Sequence, residues 1–263
     1  MAEKQKNYAV RLLTQAEHAD WDSFVSKSEN GSLFFTVHWA SVVQRVFNRE
    51  FKILALFKES ELQAGLLFWP KSFLGWQLIT RAPVTPYQDF VFKKSSKEKP
   101  SSRSAEQHEL SSMLIKRLQD DFSHIDFVSS PDKSDIRPFI WNKFNSLPKY
   151  TYRFKLLPFE ELKTQFSQSL RRKIKKYAGS FIVDKLSDTD LMAELTAQSY
   201  RRHGIEPPVS QAQLEKLFSA LSKEDWARFY CLKKDDSIMA GLLLLEDETH
   251  LYSLFAGVGS AFR

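Results

Sequence analysis

Leu54–Leu67 reads LALFKESELQAGLL, and Tyr230–Leu243 reads YCLKKDDSIMAGLL. Aligned without a gap on Gly65 and Gly241, the two stretches match at corresponding positions: Leu56 with Leu232, Lys58 with Lys234, Glu59 with Asp235, Leu62 with Ile238, Ala64 with Ala240. Each is an apolar run, a polar turn and a second apolar run opening with Ala-Gly, which is the pattern of a β-hairpin. Hairpins resemble one another, so the match alone is weak. The flanks strengthen it. YAVRLLT (Tyr8–Thr14) precedes the first copy and FIVDKLS (Phe181–Ser187) the second, and amphipathic helical sequence separates each from its hairpin. We read this as an internal duplication of a strand, two helices and a hairpin.

Working outward, the first copy is predicted to contain helices over His18–Ser28 and Phe34–Phe47. Both faces of Phe51–Lys58 are apolar, which predicts a central strand covered on both sides. The return strand is expected to end at Pro70. Further strands are expected at Phe73–Thr80, Tyr87–Phe92, His124–Ser130 (buried) and Lys149–Leu156. Lys93–Glu106, rich in Lys and Ser, reads as a mobile loop before a helix over His108–Phe122. Asp135–Phe144 reads as a short helix with Trp141 and Phe144 turned inward. In the second copy, helices are expected at Pro158–Phe166, Ser169–Ala178, Asp188–Arg202 and Ser210–Leu221, with Asp188 as an N-cap and Gly179 just past a helix end. A last strand is expected at His250–Ala256. The fold class is α/β (α+β), with mixed, mainly antiparallel sheets flanked by helices, in modules 1–157 and 158–263. By the repeat, the second copy stops about where the first reaches Tyr87, so the second module is expected to be incomplete.

The 263 residues hold 43% hydrophobic and 27% charged side chains with 22 phenylalanines, a composition that builds a sizeable core. The start, MAEKQKNYAVRLL, lacks the apolar core of a signal peptide. Cys231 is the single cysteine, so no internal disulfide forms and a cytoplasmic location is the default expectation. The formal net charge of +6 favours an anionic partner. The histidines show no metal-ligand spacing and one cysteine supplies no thiolate cluster, so no metal is expected.

Order and motifs together resemble the GNAT acyltransferase superfamily, and the tandem arrangement resembles its FemAB-like branch. FFTVHW (Phe34–Trp39) is similar to that group's aromatic-Thr-x-x-Trp helix start, and TPYQDF (Thr85–Phe90) to its Pro-Tyr-x-Asp strand. LRRKIKKY (Leu170–Tyr177) resembles the basic helix that opens the second module, and SYRRHG (Ser199–Gly204) the close of the following helix. The resemblance runs from about Tyr8 to Phe255. It implies transfer of an acyl or aminoacyl group from acyl-CoA or aminoacyl-tRNA to an amine. The acceptor it implies is an anionic nucleotide- or lipid-linked cell-envelope precursor, as in peptidoglycan synthesis, at the inner face of the membrane. No Gln/Arg-x-x-Gly-x-Gly/Ala loop is found, which leaves the use of CoA open.

Several residues are candidates for that chemistry. Arg171, Arg172, Lys173, Lys175 and Lys176 put five cations into six positions and repel one another unless an anion neutralises them. They read either as a grip on a precursor diphosphate, tRNA or an anionic membrane surface, or as a solvated helix face. Asp89 on an apolar strand, next to Tyr87, reads either as an orienter or acceptor for an amine proton or as a turn carboxylate satisfied by backbone N–H groups. Arg137 reads as a cleft cation or as the partner of Asp135 in a surface pair. His203 is a candidate base at a helix end. Trp39, at the helix start, and Tyr252 are candidate substrate contacts, although aromatics on strands are more often core. Two further classes stay open: a non-catalytic basic protein binding RNA or an anionic membrane surface, and a structural remnant with an exposed edge at His250–Ala256.

Overall fold

The computed structural model describes residues 7–131, 133 and 135–259. The chain divides into two compact units: Met1–Leu147 with Asp247–His250, and Pro148–Glu246 with Leu251–Arg263.

The first unit runs β1 (Tyr8–Leu12), α1 (His18–Lys27), α2 (Val37–Phe47), β2 (Lys52–Lys58), β3 (Glu61–Phe73), β4 (Trp76–Thr80), β5 (Val91–Phe92), α3 (Pro100–Asp121), β6 (His124–Ile125) and α4 (Arg137–Trp141). The strand order is β1-β2-β3-β4-β6, with β5 also paired to β3, and only the β4–β6 pair is parallel. Ile53, Leu54, Ala55 and Leu56 are all buried, as the two-faced apolar pattern of β2 requires. Alternation along the strands separates the two faces. Leu54 and Leu56 join Ala64, Leu66 and Phe68 beneath Leu110, Leu114 and Leu118 of α3. On the opposite face, Gly65 lies against Trp21 of α1: a Cβ at Gly65 would meet the indole at 2.6 Å and the Leu54 carbonyl oxygen at 2.7 Å.

The second unit runs α5 (Phe159–Thr164), α6 (Gln168–Tyr177), β7 (Ile182–Lys185), α7 (Thr189–Arg202), α8 (Gln211–Leu221), β8 (Ala227–Lys234), β9 (Ser237–Glu246) and β10 (Leu251–Val258). Its strands form an antiparallel sheet in the order β10-β9-β8-β7. Phe229, Cys231, Gly241, Leu243, Leu245, Phe255 and Gly257 alternate on one buried face. Over that face lie Met192 and Leu195 of α7 and Phe218 of α8, the last in edge contact with Phe229 and Phe255. Leu232, Leu242 and Leu244 on the other face are only half-buried.

The repeat holds in backbone detail. Gly65 pairs with Ala55 and Gly241 with Cys231. The register slips after Leu56 in one hairpin and after Leu232 in the other, leaving Gln63 and Met239 as the extra residues. Glu59 (φ 58°) and Asp235 (φ 53°) both turn left-handed. These positions all correspond under the Gly65–Gly241 alignment. The helix signals act as expected as well. Asp188 accepts from the Leu191 N–H at 2.9 Å, capping α7, and Gly179 follows α6 with φ 84°.

Other local expectations are corrected. β3 continues through Pro70 to Phe73, because past Phe68 the strand leaves β2 and pairs with β4. A proline is tolerated where one edge of the strand carries no ladder. α3 begins at Pro100, so the Lys/Ser-rich stretch is half helix; proline suits a first helical turn. Tyr87–Phe92 is strand only at Val91–Phe92, and His124–Ser130 only at His124–Ile125, with His124 exposed and Ile125 half-buried. Lys149–Leu156 forms no strand, and its aromatics Tyr150 and Tyr152 are almost fully exposed. Phe144 does pack on the core, but Trp141 is 60% exposed.

Candidate functional site

The sequence candidates fall into separate groups. In the first unit, Trp39 and Tyr87 are drawn together around Phe34, with ring centroids 5.2 Å and 5.8 Å from it. Trp39 is fully buried and donates from Nε1 to Thr85 Oγ1 at 2.9 Å. A side chain so enclosed reaches no substrate, and its polar atom is already satisfied. Tyr87 is half-buried on the same cluster.

Asp89 is 1% exposed. One carboxylate oxygen accepts from the Phe90 N–H at 2.7 Å, the other from the Ser130 N–H at 3.0 Å. The Lys133 ammonium stands 3.5 Å from Oδ1. That ammonium also lies 5.0–5.7 Å from the ring centroids of Phe90, Phe92 and Phe139. The carboxylate therefore ties its own segment to the one that carries Ser130 and Lys133, which is the structural one of the two readings open in the sequence. Lys133 was not legible as its partner, since nothing in the local pattern sets it apart from the other surface lysines.

Arg137 grips Asp135, donating from Nε to both carboxylate oxygens (2.9 and 3.1 Å) and from Nη2 at 2.6 Å. This hydrogen bonding, reinforced by the Arg137 backbone N–H and by His108, holds the Asp135 carboxyl below the usual carboxylate range. His108 Nε2 lies 2.6 Å from Asp135 Oδ2 and 3.4 Å from Ser104 Oγ. The triad-like trio misleads. Both partners meet the same ring nitrogen, so the imidazole has no second nitrogen through which Asp135 could orient it as a base for Ser104.

In the second unit, Arg171, Arg172, Lys175 and Lys176 are exposed on α6 together with Lys173. Among the described residues none of these five has an ion-pair partner. His203 caps the end of α7 and is exposed. Its neighbour Arg202 donates from Nη2 to the carbonyls of Val258 and Gly259 at 2.8 and 2.7 Å, fastening α7 to the end of β10.

Tyr252 lies on β10, half-buried and paired with Leu245. Two residues on, the β9–β10 register shifts between Ser253 and Phe255, so Leu254 is an extra residue in the ladder. β10 is an outer strand of its sheet, with no further strand beyond it among the described residues. A bulge on an open edge bends the strand and presents backbone N–H groups to an incoming acceptor. The sequence shows no signal for the bulge, because register depends on the partner strand. Among the described residues no group of His, Cys, Asp and Glu side chains is placed to hold a metal ion. No helix among them is long and apolar enough to cross a membrane.

Residues 164–263 match the family model of the acetyltransferase (GNAT) domain, and all of them but Asp247–His250 belong to the second unit. The chain is similar in fold to FemX, with a TM-score of 0.67 at 14% identity over 97% of this chain and 81% of that one. A conserved protein of unknown function from Enterococcus faecalis V583, described as a probable N-acyltransferase, aligns over 96% of this chain and 58% of its own at TM-score 0.34 and 9% identity. An aminoglycoside acetyltransferase from an uncultured soil metagenomic sample aligns over 59% of this chain and 100% of its own at TM-score 0.31 and 12% identity. No curated protein matches the chain.

Proposed function

We propose that the chain is an N-acyltransferase built from GNAT-like modules 1–157 and 158–263, moving an acyl or aminoacyl group from acyl-CoA or aminoacyl-tRNA to an amine of a cell-envelope precursor or glycan. The observation that carries the reading is the coincidence of the acetyltransferase-domain match with the open, bulged edge of β10. The amine attacks the donor carbonyl, and the carbonyl oxygen gathers negative charge as the tetrahedral intermediate forms. Outward-facing N–H groups of β10 supply donors for that oxygen. The intermediate then expels the CoA thiolate or the tRNA ribose oxygen, and the amine proton leaves to a base. Tyr252 and His203 are the sequence candidates in this unit for handling protons. Tyr87, and Arg137 through the face it leaves to solvent, remain sequence candidates within the first module. Asp89, enclosed as it is, supports the first module rather than the chemistry.

The test is a transfer assay on the full chain, pairing acetyl-CoA or an aminoacyl-tRNA with amino-sugar and peptide amines and reading acylated product by mass. At least one donor should give product. Tyr252→Phe should lower kcat by about 100-fold if its hydroxyl carries the proton. A folded protein that turns over neither donor with either acceptor class overturns the reading.

A further inference from the structure

The helix α6, Gln168–Tyr177, is built for an apolar environment that the described fold does not provide. At 3.6 residues per turn its side chains step by about 100°, which puts Leu170, Ile174 and Tyr177 within a sector of about 60°. These residues are 41%, 36% and 47% exposed, and no residue of the helix is buried. The same rotation places Arg171 and Lys173 about 40–60° to either side of the stripe and Arg172 and Lys175 behind it, while the Lys176 ammonium reaches back to 5.2 Å from the Tyr177 ring centroid. The helix is well founded locally: Ser167 caps it by accepting from the Leu170 N–H, and Gly179 ends it. In the flanking sequence Phe159 is 57% exposed, while Ile182 and Val183 of β7 are 64% and 70% exposed.

We propose that α6 docks in the interface of an anionic lipid bilayer. Leu170, Ile174 and Tyr177 would enter among the acyl-chain ends, while Arg171 and Lys173 extend to the head groups from the flanks. A narrow apolar stripe bordered by long cationic side chains is the arrangement that lies in such an interface. The unpaired charges select anionic lipid over neutral lipid. The apolar stripe selects a bilayer over RNA, whose phosphates need the cations but give Leu170 and Ile174 nothing to enter. The inference does not rest on the transferase reading, because a catalytically silent chain would dock in the same way.

Co-sedimentation of the full chain with vesicles tests it. Phosphatidylcholine vesicles containing roughly 30% phosphatidylglycerol should bind the protein, and phosphatidylcholine alone should bind at least about tenfold less. Leu170→Ser/Ile174→Ser keeps every charge and should weaken binding to the anionic vesicles by about tenfold or more. Arg171→Gln/Lys173→Gln should weaken it by about fivefold per charge removed. Melting temperatures should stay at the parent value for both variants, since the altered side chains are exposed. Should the serine variant melt lower, the stripe packs within the protein, and that result overturns the proposal. So does anionic-vesicle binding that the serine variant retains in full, which would be attraction of charge alone. Absence of vesicle binding at low salt, with binding to a bulk tRNA that the serine variant keeps, assigns the cations to nucleic acid instead.

Discussion

Replacing Asp89 by asparagine should destabilise the first unit by about 3 kcal/mol, which follows from what the carboxylate holds. It accepts from the Phe90 and Ser130 N–H groups and faces the Lys133 ammonium, with 1% of the residue exposed. An asparagine oxygen can keep one N–H, but its amide nitrogen is a donor and leaves the other unsatisfied, at about 1–3 kcal/mol. Removing one member of a buried pair costs about 3–5 kcal/mol. Lys133 softens this, because it stands at 3.5 Å, keeps 13% side-chain exposure and retains its contacts with Phe90, Phe92 and Phe139. The lower end is therefore expected. At about 2–4 °C per kcal/mol, the transition of this unit should fall by roughly 6–12 °C, as read by thermal unfolding followed by near-ultraviolet circular dichroism. Lys133→Met leaves both N–H bonds and should cost less, and the double variant should cost less than the sum. An Asp89→Asn protein that melts within about 2 °C of the parent but loses transfer would refute this reasoning and return Asp89 to the chemistry.

The two corresponding glycines should differ. At Gly65 a methyl group meets the Trp21 indole and the Leu54 carbonyl oxygen, neither free to move, so Gly65→Ala should cost about 1–3 kcal/mol in denaturant unfolding. At Gly241 it meets the Met192 sulfur at 2.5 Å, in an unbranched side chain that adapts more readily than an indole or a backbone carbonyl, so Gly241→Ala should cost less. Equal losses would contradict the packing described. The Arg11 guanidinium, together with Thr14, holds Glu17 down to about 2. Between that value and the ordinary carboxylate range the unfolded chain binds more protons than the folded one, so stability falls as pH falls through this window. Melting curves of parent and Glu17→Gln should therefore lie apart near neutrality and converge as pH drops from about 4.5 towards 2. A gap that stays constant over that range would contradict the pairing.

Much of the fold was legible because the signals were local. The hairpin repeat marked β2–β3 and β8–β9 and put Glu59 and Asp235 at matching places in their polar turns; that both turn left-handed is a structural finding. The apolar periods placed α1, α2, α7 and α8, and Asp188 marked a helix start. What escaped depends on partners distant in sequence. Pro70 remains in a strand because β3 exchanges one neighbour for another, and no window around Pro70 contains β4. The aromatic alternation of Lys149–Leu156 looked like a strand but finds no ladder. The site divides similarly. The basic run of α6 was plain from composition, and Asp89 stood out as a lone charge on an apolar segment. Its engagement by Lys133, forty-four positions away, and the bulge at Leu254 are tertiary facts.

The central claim is that the acyl donor lies along the open edge of β10. Amide hydrogen exchange of the full chain, with and without saturating acetyl-CoA and separately with an aminoacyl-tRNA, tests it most directly. One of the two donors should slow exchange across Leu251–Val258 while leaving the buried amides of β2 unchanged. If neither donor protects β10, the claim is contradicted.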